Sequence, residues 1–153
     1  MENEVKNSIA LANTTNISTD LFGGNTNSRK VTSLNLNDES QMDMFINSQQ
    51  EADFKLNDKV GETITFIGAT VTEYYSTDVN ESGEEVTRRK HTLCLFDEKG
   101  KSYVTGSNSC YYSFANIVSF KGMPTVEKPI KLEIVKVPAE TKGHEYLKVK
   151  LAK

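Results

Sequence analysis

Apolar residues follow one pattern in the first part of the chain and another from about residue 59 onward. In the later part they alternate with polar residues over short runs, which is typical of strands with one buried face. The clearest runs span residues 130–137 and 146–151. In the earlier part they occur in small groups among Asn, Ser and Thr, which provide too little apolar surface to fold alone. The pattern predicts a mostly irregular arm over residues 1–58 and a folded domain over residues 59–153.

A long first strand of this domain is predicted over residues 61–75. Its apolar positions change from even numbers, such as Phe66, to odd numbers, such as Ala69. One extra residue at Ile67 and Gly68 would produce this change of phase, and glycine is common at such β-bulges. A strand bent at a bulge can take part in both halves of a small barrel.

A hairpin is predicted over residues 88–107, after a polar and acidic connection over residues 76–87. Asp97 begins its turn, and Gly100 supplies the positive φ that the turn needs. Leu95 then falls on one face of the first strand and Phe96 on the other.

The hairpin combines cations with aromatic rings. Arg88, Arg89 and Lys90 stand at its start, and Phe96 and Tyr103 follow in its two strands. Bases stack on rings and phosphates attract cations, so this combination favours the binding of an unpaired nucleic-acid strand. The alternative is an ordinary antiparallel hairpin whose charges are solvated.

A helix of two or three turns is predicted within residues 108–122, with Pro124 just beyond its end. The domain then has the order strand, strand, strand, helix, strand, strand, which is the order of the OB-fold. We predict an all-β fold, a five-stranded OB-fold Greek-key barrel with one short helix between strands 3 and 4. A long flexible N-terminal arm precedes it.

The arm contains apolar groups that a solubilising tail does not need. A short helix is expected near residues 38–48, capped by Asn37 or Asp38, but its few apolar residues require a surface to dock on. We expect that surface to lie on another copy of the barrel, giving head-to-tail assembly. The alternative is an arm that is disordered or folds back on its own domain. The residues expected to mediate self-association are Leu21, Phe22, Leu34, Leu36, Met42, Phe45 and Ile46.

The net charge of −3 is unevenly distributed along the chain. Residues 1–59 carry five Lys or Arg against nine Asp or Glu, whereas residues 60–153 carry thirteen against twelve. The folded part is therefore about neutral, and a phosphate-binding surface must be a local patch.

Composition also excludes several classes of protein. No apolar run is long enough to span a membrane, and the acidic start is unlike a signal peptide. The two cysteines suit a reducing compartment. A cytoplasmic protein is therefore expected. His91 and Cys94 would point to opposite faces of a strand and cannot share one metal ion. There is no phosphate-binding glycine loop and no recognisable activated nucleophile. We expect no metal, cofactor, small-molecule substrate or enzymatic activity.

Four segments also carry a family resemblance: GETITFIGATVTEYY, SYVTGSNSCYYSFANIV, PIKLEIVKV and GHEYLKVKL. They resemble single-stranded DNA-binding proteins of the OB-fold class carried by phages and conjugative plasmids of Gram-positive bacteria, over about residues 54–153. The resemblance implies that the outer face of the second and third strands, with the loops after the first and fourth, holds the DNA. The chain departs from housekeeping bacterial relatives in ending at Lys153 without an acidic tail, so recruitment of partners by such a tail is not expected. The matching positions are Tyr74, Tyr75, Arg88, Arg89, Lys90, Phe96, Tyr103, Lys142 and His144.

The expected function is that of a single-stranded DNA-binding protein. It would coat unpaired DNA with little sequence preference during plasmid or phage DNA replication or conjugative transfer, and its arm would link neighbouring copies. Two alternatives remain open at this point. One is an OB-fold module that binds protein or oligosaccharide, and the other is a structural assembly protein without physiological DNA binding.

Overall fold

Eight strands in the described part of the chain form one curled, mixed β-sheet, and two helices pack against it. The protein is represented by a computed structural model that describes residues 15–17, 28–140 and 143–153, with the backbone alone for residues 15–17. Neither helix in these ranges is long and apolar enough to cross a bilayer. The fold is mostly β, as predicted, although the sheet has eight strands rather than five. In chain order the elements are β1 (Thr15–Ile17), β2 (Ser28–Thr32), α1 (Glu39–Gln50), β3 (Phe54–Lys55), a 3-10 turn (Leu56–Lys59), β4 (Thr63–Val79), β5 (Glu85–Asp97), β6 (Ser102–Thr105), α2 (Asn108–Lys121), β7 (Ile130–Pro138) and β8 (Glu145–Leu151).

The long strand β4 belongs to two parts of the sheet. Residues 63–66 pair with β7, while the pairing with β5 runs along residues 66–79. The register of this second pairing shifts between Phe66 and Gly68, which confirms the predicted bulge. The bulge bends β4, so that one strand serves both sides of the curl.

Beyond the residues of β4 that pair with β2, strands β4 and β5 continue as a two-stranded ribbon. The prediction of a polar connection over residues 76–87 is wrong. Pairing extends to the end of β4 and the start of β5, so residues 80–84 alone form the turn. Asn80 Oδ1 closes this turn by accepting from the backbone N–H groups of Ser82 and Glu84 at 3.0 and 2.9 Å. Both faces of the ribbon are largely exposed, so its strands lack the apolar alternation that would reveal them.

Helix α2 lies where the sequence predicts a helix, but its 14 residues exceed the predicted two or three turns. It packs on the inner face of the curled sheet. Ser107 Oγ caps its start by accepting from Cys110 N at 3.2 Å, and Gly122 ends it with a φ of 79°. Its buried side chains, Cys110, Phe114 and Val118, join the main core. Fully buried members of that core from the sheet are Phe66, Ala69, Leu93, Leu95, Leu132 and Ile134.

Residues 28–58 pack against their own domain, so the prediction of an irregular arm is wrong for this part. β2 pairs antiparallel with β4, and Leu56 is buried in the main core. α1, close to the helix predicted near residues 38–48, lies on the outer face of the sheet. There Leu34 and Phe45 pack against Phe96, which faces away from the main core. The physical reason is that Phe96 leaves an apolar patch on the outer face, and burial under α1 removes that patch from water.

This packing also changes the expected self-association residues. Leu34 and Phe45 are buried within the chain, and Leu36 packs against the same cluster. The expectation that these three side chains dock on another copy is therefore wrong. Met42 is partly buried and Ile46 is exposed, while Leu21 and Phe22 lie outside the described residues.

Candidate nucleic-acid interface

The register of β2, β4 and β5 brings polar and cationic side chains into rows on the outer face of the sheet. Lys30 lies opposite Thr72, and Thr72 lies opposite Thr92. Residues paired directly across antiparallel strands point to the same face, and residues two apart on one strand share that face. Tyr74 and its partner Lys90 therefore lie beside this row. The outer strip comprises Lys30, Thr72, Tyr74, Arg88, Lys90 and Thr92.

Lys30 is the most enclosed cation of the outer strip. Its Nζ donates to Thr72 Oγ1 at 3.2 Å, and burial lowers the pKa of its ammonium. None of the ion pairs among the described residues involves Lys30. It borders a groove of about 330 Å³ between the sheet and residues 48–52 at the end of α1. Glu51 also lines this groove but forms no ion pair with Lys30, so the partly buried ammonium keeps its capacity to bind an anion.

The three cations predicted at the start of the hairpin do not form one patch. Arg89 falls on the opposite face from the outer strip, where its Nε lies 3.8 Å from Glu73 Oε2. Lys90 Nζ lies on the outer strip, 3.5 Å from Asp78 Oδ2. Arg88 is exposed on the outer strip and takes part in no ion pair within the described ranges. Alternation along β5 thus divides cations that are adjacent in sequence.

The two predicted tyrosines of β4 are divided in the same way. Tyr74 is partly exposed on the outer strip, directly opposite Lys90. Tyr75 lies opposite Arg89 on the other face and is 52% exposed. Each ring therefore has a cation as its cross-strand neighbour, but they serve different surfaces.

The expectation that Phe96 and Tyr103 offer exposed rings for stacking is wrong. Phe96 lies on the outer face, as its position in the strand predicted, but it is 0% exposed because the segment around α1 covers it. Tyr103 lies opposite Leu95 and therefore points into the main core. Its hydroxyl donates to Asp97 Oδ2 at 2.7 Å, and burial, together with this hydrogen bond, raises the pKa of the hydroxyl.

The described part of the loop between β7 and β8 adds fewer contacts to the outer strip than the resemblance implies. His144 is exposed, and its backbone oxygen accepts from Ala139 N at 2.9 Å. Among the described residues, no hydrogen bond or ion pair links its ring to the outer strip. β7 pairs with the first residues of β4, whereas the outer strip follows the second half of that strand. Lys142 lies outside the described residues.

Sequence reasoning missed Lys30, Thr72 and Thr92. Lys30 was assigned to an irregular arm, and only pairing with β4 turns that stretch into a strand. The available signal was the run SRKVT, which ends in the two β-branched residues Val31 and Thr32. The two threonines carry neither a ring nor a charge, so a pattern of aromatic and cationic residues does not single them out.

A second polar row lies on the opposite face, where β2, β4 and β5 approach α2. Arg29 lies opposite Glu73, and Glu73 lies opposite His91. The His91 ring stacks on that of Tyr111, with centroids 3.8 Å apart and planes inclined by 6°. Burial raises the pKa of the Tyr111 hydroxyl. This inner row is separate from the outer strip and lines its own cavity.

Comparisons with protein-family models, with curated proteins and with solved structures gave no match to this chain. The family resemblance therefore rests on the residues of the chain itself, and its functional implications are proposals.

Proposed function

We propose that the protein binds unpaired DNA along the outer strip, with little sequence preference. The observation that carries the proposal is that Tyr74 stands directly opposite Lys90 and diagonal to Arg88 and Lys30 on the outer face of the sheet. A ring beside cations is what a single strand requires, because its bases are exposed for stacking and its phosphates are spaced along the backbone. The role follows from the family resemblance, namely coating of single strands in plasmid or phage DNA replication or conjugative transfer.

The topology supports an OB-type barrel as the scaffold of this function. β4 is bent at its bulge and pairs with both β5 and β7, and α2 stands between β6 and β7. These are features of the five-stranded OB-fold. In this proposal β4, β5, β6, β7 and β8 are the five barrel strands, and β1, β2 and β3 are additions to their sheet.

Each member of the outer strip has a distinct part in the proposed complex. Tyr74 stacks on a base, and such contacts tolerate any base because every base has a π-face. Lys30 and Arg88 bind phosphate oxygens, while the hydroxyls of Thr72 and Thr92 are suited to phosphate and sugar contacts. Lys90 is paired with Asp78, so it contributes less than an unpaired cation. Because few cations are free, the affinity should depend only weakly on salt.

A titration of labelled poly-dT followed by fluorescence anisotropy, at two salt concentrations, tests the proposal. Binding at low salt that weakens modestly at high salt, with similar affinity for poly-dA, supports it. Absence of binding at both salt concentrations would overturn it. A duplex of the same length is the matched control, since it offers phosphates but no exposed bases, and weaker binding to it is expected.

Self-association is also proposed, but through fewer residues than the sequence predicts. Leu34 and Phe45 are occupied within the chain, so copies cannot be linked through them without unfolding this segment. Head-to-tail linkage is retained for Leu21, Phe22, Met42 and Ile46, which stay a prediction.

One observation favours a second candidate, a protein-interaction module. Phe120 is 86% exposed on α2, and Tyr112, two turns earlier on the same side of the helix, is also exposed. Exposed aromatic residues of this kind are typical of protein contacts. The same titration separates the candidates, because a module of this class does not bind poly-dT.

A further inference from the structure

A cavity of about 250 Å³ lies between the inner face of the sheet and α2, apart from the outer strip. Much of its wall is apolar, with side chains that include Val71, Phe114 and Met123. It is smaller than the roughly 300–1,000 Å³ of pockets for drug-sized ligands, so its occupant is about the size of one heteroaromatic ring system.

Polar groups converge on this cavity from three adjacent strands. Arg29 of β2, Glu73 of β4 and His91 of β5 stand directly opposite one another, and all three line it. Arg29 is exposed and Glu73 is partly exposed, so the cavity is open to solvent at this end. Tyr111 of α2 covers one face of the His91 ring.

His91 has an unmet hydrogen-bonding need. Its side chain is 3% exposed, and its Nε2 lies 3.3 Å from Glu73 Oε2. Its Nδ1 is buried and has no hydrogen-bond partner among the described residues. When a neutral ring donates Nε2–H to the carboxylate, Nδ1 is left as an acceptor without a donor, and such a buried atom is costly.

We infer that the cavity binds one unstacked nucleobase and prefers guanine. The Watson–Crick edge of guanine carries two neighbouring donors, N1–H and the N2 amino group, and the cavity offers two acceptors, the Glu73 carboxylate and His91 Nδ1. Glu73 Oε2 is already contacted by His91 Nε2 and Arg89 Nε, so the base would use Oε1. Thymine offers a single N–H between two carbonyl acceptors, which the carboxylate repels. The apolar walls contact the faces of the base, and Arg29 at the opening is placed for the adjoining phosphate. The inference extends the proposed function, since the base would belong to the bound strand, but its site is a different one.

Two roles without a bound base compete with this inference. In the first, the cavity is a packing defect at the end of the main core, and the Glu73–His91 pair serves only the fold. In the second, an apolar side chain from the residues before Ser28 fills it. Neither role gives a response that depends on the identity of an added base.

The direct test follows the His91 imidazole nitrogens by NMR while dGMP or dTMP is added to the full chain. Only two histidines are present, so a His144→Gln variant assigns the signals. We expect dGMP to shift the His91 Nδ1 signal in a saturable way. The apparent Kd for dTMP, from the same signal, should be at least about tenfold higher. No His91 response to dGMP, or equal responses to both nucleotides, would overturn the inference.

Ala115→Leu supplies the matched perturbation, because Ala115 lines the cavity and the added carbons occupy it. Asn116→Leu places the same side chain on the exposed side of α2 and serves as control. The dGMP response should disappear in the first variant and persist in the second. If Ala115→Leu does not fold, Glu73→Gln retains the shape of the side chain and should abolish the preference for dGMP over dTMP. A dGMP response that persists in a folded Ala115→Leu variant, or a preference that Glu73→Gln leaves unchanged, contradicts the inference.

A second measurement separates this inference from the proposed function. The affinity of an oligo-dT of about 20 nucleotides is compared with that of the same strand carrying one central guanine. This length exceeds the ~4–16-nucleotide site of one OB-type barrel, so the strand can occupy the whole site. The guanine strand should bind about tenfold more tightly. If oligo-dT binds and the guanine adds nothing, the cavity inference fails alone. If neither strand binds but dGMP shifts His91, the proposed function fails and the cavity remains a base site.

Discussion

A β-carbon at Gly68 would collide with Leu34 Cδ2, and it would lie 3.3 Å from Leu34 Cγ. Gly68 stands at the bulge where the pairing of β4 shifts register, and Leu34 is buried against it. The bend of the central strand and the attachment of the N-terminal segment therefore depend on the same close approach. A β-carbon is disfavoured at this position by the neighbouring side chain and not by the backbone, because the φ of Gly68 is not positive.

Gly68→Ala should destabilise the protein by about 1–3 kcal/mol, the usual cost of overpacking a core. Leu34→Ala alone should cost about 2–5 kcal/mol, because it leaves a cavity. In the double variant the clash is absent, so its cost should be less than the sum of the two single costs. Denaturant unfolding measures all three values, and strictly additive costs would show that the two residues do not meet.

Cys94 should report whether α1 remains in place. Cys94 is buried beside Phe45 of α1, while Cys110 is buried in the main core. Burial raises the pKa of each thiol to about 12, so both should be unreactive toward thiol reagents in the native protein at neutral pH.

A Cys110→Ser variant leaves Cys94 as the single probe, and Cys94→Ser leaves Cys110. Phe45→Ala should accelerate modification of Cys94 more than that of Cys110. Equal acceleration would mean that α1 detaches only when the whole domain unfolds.

Stability should fall at alkaline pH. Burial raises the thiol pKa of Cys94 and Cys110 from 9.0 to about 12, and the Tyr103 hydroxyl is shifted in the same direction. The unfolded chain releases these protons at a lower pH than the folded chain does. The stabilising contribution is therefore fully present below about pH 9 and is lost as the pH rises toward 12. Denaturation at stepped pH measures the decline. Cys110→Ala should reduce the loss of unfolding free energy with rising pH. An unchanged loss would show that Cys110 does not contribute to the pH dependence.

The sequence was sufficient where a residue's environment is set by its near neighbours. Alternation identified β7 and β8, the phase change at Gly68 identified the bulge, and glycine and proline signals bounded α2. It was insufficient where the environment is set by a distant segment. Residues 28–32 become a strand only through β4, and Phe96 is concealed by α1 rather than by its own strand.

The residues of the candidate site also differ in whether the sequence alone could place them. The parity of positions along β4 and β5 already separates Tyr74 and Lys90 from Tyr75 and Arg89, so this division was available from the sequence. The contribution of Lys30 required the register of β2 against β4. The row of Arg29, Glu73 and His91 required both that register and the position of α2.

Replacing Leu21 and Phe22 by Ser should weaken self-association on DNA. Both lie before Ser28 and belong to the residues for which the proposed linkage is retained. Solution mass and the cooperativity of binding to long single strands should fall, while affinity for a short oligo-dT that holds one copy should not change. Leu151→Ser, at an exposed position on β8, is the control. Unchanged cooperativity in the double variant would remove these residues from the assembly.

In the proposed complex, the outer strip binds single strands through Tyr74. The most direct test of this claim is one anisotropy titration of labelled oligo-dT with the wild-type chain, Tyr74→Ala and Tyr146→Ala. Tyr146 is 45% exposed on β8, away from the strip, so it controls for the loss of an exposed tyrosine. Tyr74→Ala should weaken binding by about 1–3 kcal/mol, the usual value of one stacked base, and Tyr146→Ala should bind as the wild type does. Equal affinities for all three chains would contradict the claim.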